Sequence, residues 1–90
     1  MPAPILGNLI NVQTSVGTSP ALITSPSSPR AAIAVTNLGA GTIYIGGTSS
    51  VTTTTGYPIA AGGTFTMEYS GAIFAIAVSG TQDVRTIQGS

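Results

Sequence analysis

The chain has 90 residues, no cysteine, no histidine, two basic and two acidic side chains, and zero net charge. A disulfide framework is excluded, and a zinc site is disfavoured because cysteine and histidine are its usual protein ligands. Two arginines without a lysine cannot neutralise a row of phosphates or hold an anionic lipid surface, so we expect neither a nucleic acid nor a membrane as partner.

The N-terminal segment, Met1–Asn8, predicts an extended arm. Two prolines precede Ile5 and Leu6 and favour an extended backbone, and we expect these two apolar side chains to dock on another surface. The alternative is a frayed terminus. The strand pattern begins at Leu9. We therefore predict an arm over residues 1–8 and a single β domain over residues 9–90.

Beyond the arm, apolar residues alternate with a period of two and β-branched residues are common, as strands require. Thr18–Pro29 is rich in proline and serine and predicts a loop or an edge crossing. The predicted strands are Leu9–Val16, Ala31–Asn37, Thr42–Gly46, Thr64–Ser70, Ile73–Ser79 and Gln82–Gln88.

The strand Ile73–Ser79 is apolar on both faces, which predicts a central position. We expect Phe74, Ile76 and Val78 to face the core. In the last strand, the pattern leaves open whether Val84 or Ile87 faces inward.

Short glycine-containing segments separate the strands. Leu38–Gly41 and Ser79–Thr81 are typical of hairpin turns, and Thr52–Thr55 is interpreted as an exposed strand end. No segment shows a capped helical stripe. These features predict an all-β fold: a small β-sandwich or jelly-roll-like barrel of about six to eight short strands with an extended N-terminal arm.

Catalysis near neutral pH usually needs a tunable acid, base or nucleophile. Without histidine, cysteine or lysine, the remaining candidates are Glu68 and Asp83, either as the carboxylate pair of a glycosidase or as solvated surface charges. We favour the second interpretation and predict no enzyme, no catalytic residues, no cofactor and no metal. Tyr44 and Tyr57 are candidate interface residues, with a sugar-stacking platform as the alternative.

From Ala31 onward the sequence resembles small structural proteins of bacteriophage virions. The matching segments are Ala32–Asn37, Gly41–Gly47, Val51–Thr52, Gly56–Ile59, Ala61–Gly62, Ile73–Ala77 and Ser79–Gly80. The residues before Ala31 do not match. The resemblance implies a compact β-sandwich in the virion that decorates or cements a capsid, bound to the major capsid protein or another virion protein.

Zero net charge promotes association, which together with the small size favours a homo-oligomer, and we expect a trimer on a capsid lattice. The alternative function is a phage tail or fibre component that binds a host glycan or surface protein.

Overall fold

The computed structural model describes residues 9–24, 32–68 and 71–89, and these residues form strands, turns and bends without a helix. The strands are β1 (Leu9–Val16), β2 (Ala21–Thr24), β3 (Ala32–Asn37), β4 (Ile43–Gly46), β5 (Tyr57–Ile59), β6 (Thr64–Met67), β7 (Ile73–Ala77) and β8 (Gln82–Gly89). The predicted all-β fold is confirmed.

The strands form two antiparallel sheets of four. Sheet A has the order β1-β8-β3-β6, and sheet B has the order β2-β7-β4-β5. In chain order, the first strand pairs with the last, the second with the seventh, the third with the sixth and the fourth with the fifth. This nested pairing, divided between two sheets, is the connectivity of an eight-stranded jelly roll.

The core lies between the sheets and consists of aliphatic side chains from every strand except β6, which packs partly buried side chains against the margin of the core. Its members are Val16, Ile23, Ile33, Val35, Ile43, Ile45, Ile59, Ile73, Ala75, Ala77 and Val84, with Phe65 and Met67 packed against them. Alternation in the sequence aligns Ile33 with Val35 and Ile43 with Ile45, and all four side chains are buried in the core. In β8 the open choice is resolved, because Val84 is fully buried and Ile87 lies on the outer side of sheet A.

The inward face predicted for β7 is wrong. Ile73, Ala75 and Ala77 are buried, whereas Phe74 and Ile76 lie on the outer side of sheet B. Because both faces of this strand are apolar, the period of two could not select one of them. The small alanines fit between the sheets, opposite the isoleucines of β4, and the larger side chains remain outside.

Two predicted hairpins are crossings between the sheets. Residues 38–42 lead from β3 in sheet A to β4 in sheet B, and residues 78–81 lead from β7 back to β8 in sheet A. Gly80 in the second crossing has a φ of 64°, in the left-handed region that favours glycine. A hairpin and a crossing use the same turn residues, so the local sequence did not distinguish them.

Two buried amides fasten both crossings at one end of the sandwich. The Asn37 side chain is fully buried: its Nδ2 donates to the carbonyl oxygens of Gly41, at 2.7 Å, and Ile59, at 3.0 Å, and its Oδ1 accepts from the Gly39 N–H. Gln82 Oε1 accepts from the Gly41 N–H, and its Nε2 donates to the Ser79 carbonyl. These bonds satisfy backbone groups that the crossings remove from the strand ladders.

Two further segments differ from expectation. Thr18–Pro29, predicted as a loop or edge crossing, contains the short edge strand β2. Thr52–Thr55 is a turn closed by the Gly56 N–H bonded to the Thr52 carbonyl, and not a strand end. Neither segment has a strong alternating pattern.

Candidate interaction surface

The outer face of sheet B carries two rows of apolar side chains. In the first row, Leu22 is the cross-strand neighbour of Phe74, and Gly46 lies on the other side of Phe74. These residues point away from the core because their chain neighbours in β7 and β4 point into it.

The second row lies beside the first. Tyr44 has Ile76 as its neighbour on one side and Pro58 on the other. Val78 lies just beyond the end of β7, two residues after Ile76, at the start of the crossing to β8. Leu22 is 45% exposed and Val78 is 62% exposed, while Tyr44, Phe74 and Ile76 are half-buried. We call the set Leu22, Tyr44, Pro58, Phe74, Ile76 and Val78 the apolar face.

The apolar face contains no charged side chain. The structure describes three charged residues, and all three belong to sheet A or its margin: Asp83 and Arg85 lie on β8, and Glu68 follows β6. Asp83 accepts two hydrogen bonds from Arg85, both at 3.0 Å, and one from Gln13 Nε2 at 3.1 Å. These bonds, with that from Arg85 the strongest, lower the pKa of Asp83.

The loop of residues 47–56 forms a rim on the apolar face. Val51 is buried, and a methyl group at Gly46 would come within 2.9 Å of its Cγ2. At Gly56, a methyl group would come within 2.7 Å of the Tyr44 Cβ. Because Gly46 and Tyr44 lie on the outer side of β4, this close approach places the Val51 side chain over sheet B, outside the core cluster.

Tyr57 lies on the other side of sheet B from Tyr44. It pairs with the inward-facing Ile45, is 58% exposed, and its ring lies 5.2 Å from that of Phe65, at an angle of 48°. It lines a cleft of about 320 Å³ together with Ile45, Gly46, Gly47, Phe65, Met67 and Ile73. The two predicted tyrosines therefore do not share a surface, and only Tyr44 belongs to the apolar face.

The cleft offers few polar groups to a ligand. Among its described lining residues, the Tyr57 hydroxyl is the single polar side-chain group, and the rest are aliphatic, aromatic or glycine. A sugar needs several hydrogen-bonding groups that fix its orientation. The lining suits an apolar side chain better than a glycan.

Glu68 and Asp83 are far apart. Met67 is aligned through Ile33 with Gln88, so Glu68 lies beside the C-terminal end of β8, whereas Asp83 lies near its N-terminal end. Glu68 lies at the level of Gly89, which is six residues from Asp83 along β8, so the two residues are separated by about 20 Å along the strand. The carboxylates of a glycosidase lie only about 5–9.5 Å apart. Glu68 and Asp83 therefore do not form such a pair, which agrees with the favoured interpretation of the two residues as surface charges.

Two further predicted interface residues, Ile5 and Leu6, lie outside the described residues, as does the predicted arm. Within the described part of the chain, no cluster of three or more His, Cys, Asp or Glu side chains is present to hold a metal ion. The same part contains no helix of the length and apolarity needed to cross a membrane.

Sequence reasoning missed most of the apolar face. Leu22 lies in a segment predicted as loop, and Phe74 and Ile76 were expected in the core. The available signal was the run Ile73–Val78, which has more apolar residues than one buried face requires. Comparisons of the chain with protein-family models, curated protein sequences and solved structures found no match.

Proposed function

We propose that this chain is a structural protein of a bacteriophage virion that decorates or cements the capsid through protein–protein contacts. One observation carries the proposal: within the described residues, the outer face of sheet B presents apolar side chains and no charged one, although the core already packs against the inner face of that sheet. Contiguous apolar surface on a soluble domain marks a contact site. The partner is the major capsid protein or another virion protein.

The jelly-roll connectivity supports this proposal at the level of architecture. Viral capsid proteins use this fold, but lectins and cupins use it too, so the fold alone does not select a function. The resemblance of residues 31 onward to phage structural proteins favours the first of these. We further propose that the protein acts in the virion as a homo-oligomer, without nucleic acid, membrane or cofactor.

A matched pair of variants tests the proposal. Leu22→Lys places a charge on the apolar face, and Ile87→Lys places one on the outer face of sheet A; the two native side chains are 45% and 41% exposed. Each variant is supplied to phage particles grown without the native protein, and the bound fraction is measured by gel densitometry.

We expect native protein and Ile87→Lys to bind the particles and Leu22→Lys to lose at least about tenfold in affinity, since burying a leucine contributes about 1.5–3 kcal/mol. Circular dichroism serves to check that both variants are folded. Equal binding of the two variants, or absence of the native protein from purified particles, would contradict the proposal.

The second candidate is a tail or fibre component that binds a host glycan or surface protein. The exposed Tyr57 ring beside an open cleft is the observation in its favour. This candidate predicts binding on a glycan array that disappears in Tyr57→Ala and persists in Leu22→Lys.

A further inference from the structure

The four edge strands of the two sheets are not equally protected against pairing with another strand. β5 has three residues, of which Pro58 is one, and β6 has four. β2 has four residues, and its register shifts between Leu22 and Thr24. Short strands, proline and bulges are the usual means by which proteins block edge pairing.

The edge strand β1 has none of these protections. It has eight residues, pairs with β8 in an unbroken register from Leu9 to Val16, and contains no proline, glycine or charged residue. Within the described residues, β8 is its single strand neighbour. A long, regular edge strand of this kind is a template for a further strand.

The direction of the backbone groups in sheet A follows from two hydrogen bonds. The Asn37 N–H donates to the Gly63 carbonyl, on the β6 side of β3, at 3.0 Å. The Leu38 N–H donates to the Asp83 carbonyl, on the β8 side, at 2.7 Å. Successive residues of a strand direct their N–H and C=O groups to opposite sides, so Asp83 faces β3.

The same alternation continues across β8 to β1. Because Asp83 faces β3, Val84 faces β1, where its partner is Thr14. Thr14 therefore directs its backbone groups toward β8, and its neighbours Gln13 and Ser15, together with Asn11, direct theirs toward the open edge.

We propose that the open edge of β1 pairs antiparallel with β1 of a second copy of this chain, about a two-fold axis at Gln13. The length of β1 identifies the partner: the other edges of the described sandwich offer three or four residues, whereas a second β1 pairs over the seven residues 10–16 about this axis. The side chains of Asn11, Gln13 and Ser15 would lie beside those of the second copy across the strand pair. All three are uncharged, so the two copies do not repel each other.

Two apolar side chains of β1 also favour a second copy. Ile10 and Val12 lie on the inner side of sheet A yet are 40% and 38% exposed. A paired strand would lie beside them and cover part of that surface, as cross-strand neighbours do. The pairing would join two four-stranded sheets into one continuous sheet of eight strands.

The two-fold axis has a consequence for the apolar face. The local axis of an antiparallel strand pair is perpendicular to the sheet, so both copies keep the outer face of sheet A on one side and sheet B on the other. A pair of copies would present both apolar faces in the same direction. The pairing goes beyond the proposed function and does not depend on it. It predicts two copies in place of the trimer that we expected.

The experiment uses single cysteines, which the native chain lacks. Gln13→Cys places a thiol at the two-fold axis, and Thr66→Cys places one on β6, at the opposite edge of the same sheet. We expect mild oxidation of the purified full chain to give disulfide-linked dimers of Gln13→Cys and monomers of Thr66→Cys.

Asn11→Pro supplies an independent measurement, because it removes an outward N–H without removing a bond of the β1–β8 ladder. Asn11→Thr, which keeps the N–H, is its control. Sedimentation should show dimers for the native chain and Asn11→Thr, and at least a tenfold weaker dimer for Asn11→Pro with an unchanged circular dichroism spectrum.

A monomeric native chain at micromolar concentration would overturn the inference. So would cross-linking of Thr66→Cys in place of Gln13→Cys, or an undiminished dimer of a folded Asn11→Pro. Since these measurements need no particle, failure of the pairing and failure of the virion function give different results.

Discussion

Sheets A and B each present a four-stranded outer face, and the side chains on the two faces differ in kind. On sheet A the outer positions hold Asn11, Gln13, Asp83 and Arg85 beside small residues and Ile87. On sheet B they hold the apolar face. A two-layer sandwich needs one apolar face per sheet, so sheet A follows the requirement of the fold, and sheet B exceeds it. We propose that a partner covers this additional apolar surface.

The largest expected effect comes from loosening the connections that hold the two sheets together. Asn37→Ala removes three hydrogen bonds and leaves the Gly39 N–H and the carbonyls of Gly41 and Ile59 without these partners. Each buried polar group left unsatisfied costs about 1–3 kcal/mol. We expect urea unfolding to show a loss of about 3 kcal/mol or more.

Thr36→Ala is the control, because the Thr36 hydroxyl forms an exposed hydrogen bond with the Thr64 hydroxyl, at 2.9 Å, on the outer face of sheet A. Its loss should be about 1 kcal/mol or less. Similar losses in the two variants would show that the buried amide does not hold the crossings.

The next effect concerns the rim of the apolar face. Gly46→Ala would bring a methyl group within 2.9 Å of Val51 Cγ2, whereas Gly17→Ala would meet nothing closer than 3.8 Å. Overpacking costs about 1–3 kcal/mol, so the thermal midpoint should fall in the first variant and stay unchanged in the second. A midpoint unchanged in both would mean that the loop does not pack on sheet B as described.

The third effect is an expected insensitivity to salt and pH. Since the apolar face carries no charge, its contacts depend on apolar burial, which salt does not screen, and a surface ion pair contributes at most about 1 kcal/mol. At about 1 M salt the Debye length is only about 3 Å. The fraction of protein retained on washed particles should therefore stay constant from pH 5 to 9 and up to about 1 M sodium chloride. Complete release by salt alone would indicate a charged contact.

The smallest effect belongs to the exposed pair on sheet A. The bonds from Arg85 and Gln13 lower the pKa of Asp83 below its ordinary value of 3.8. A lowered folded pKa contributes stability that is present above the unfolded pKa and lost as pH falls through the folded one. The effect is therefore confined to pH values below about 4 and is small for exposed groups. An NMR titration should show the Asp83 pKa returning toward its ordinary value in Arg85→Gln; an unchanged pKa would contradict the ion pair.

The sequence predicted the strands whose two faces differ and failed where they do not. Leu9–Val16 and the inward pairs Ile33–Val35 and Ile43–Ile45 follow from alternation alone. In β7 both faces are apolar, so alternation could not show which face is buried. The wrong choice placed Phe74 and Ile76 in the predicted core. Because β7 is apolar on both faces, its orientation was ambiguous in the sequence, and for the same reason its outer side chains contribute to the apolar face.

Connectivity and long-range contacts were also beyond the sequence. The segments after Asn37 and after Ala77 contain ordinary turn residues, and only the two-sheet arrangement shows that they are crossings. The role of Asn37 depends on Ile59, which is 22 residues away, and the alignment of Gln82 with Gly41 spans 41 residues. The separation of Glu68 from Asp83 likewise depends on strand order and not on local pattern.

The orientation of the sandwich on its partner can be seen in an electron cryomicroscopy reconstruction of the phage particles, at a resolution that separates the two sheets. We expect density for the sandwich on the capsid surface, with the apolar face of sheet B, including Leu22 and Phe74, against the shell and the charged outer face of sheet A away from it. A sandwich that contacts the shell through the face carrying Asp83 and Arg85, or particles without density for the protein, would show that the proposed function is wrong.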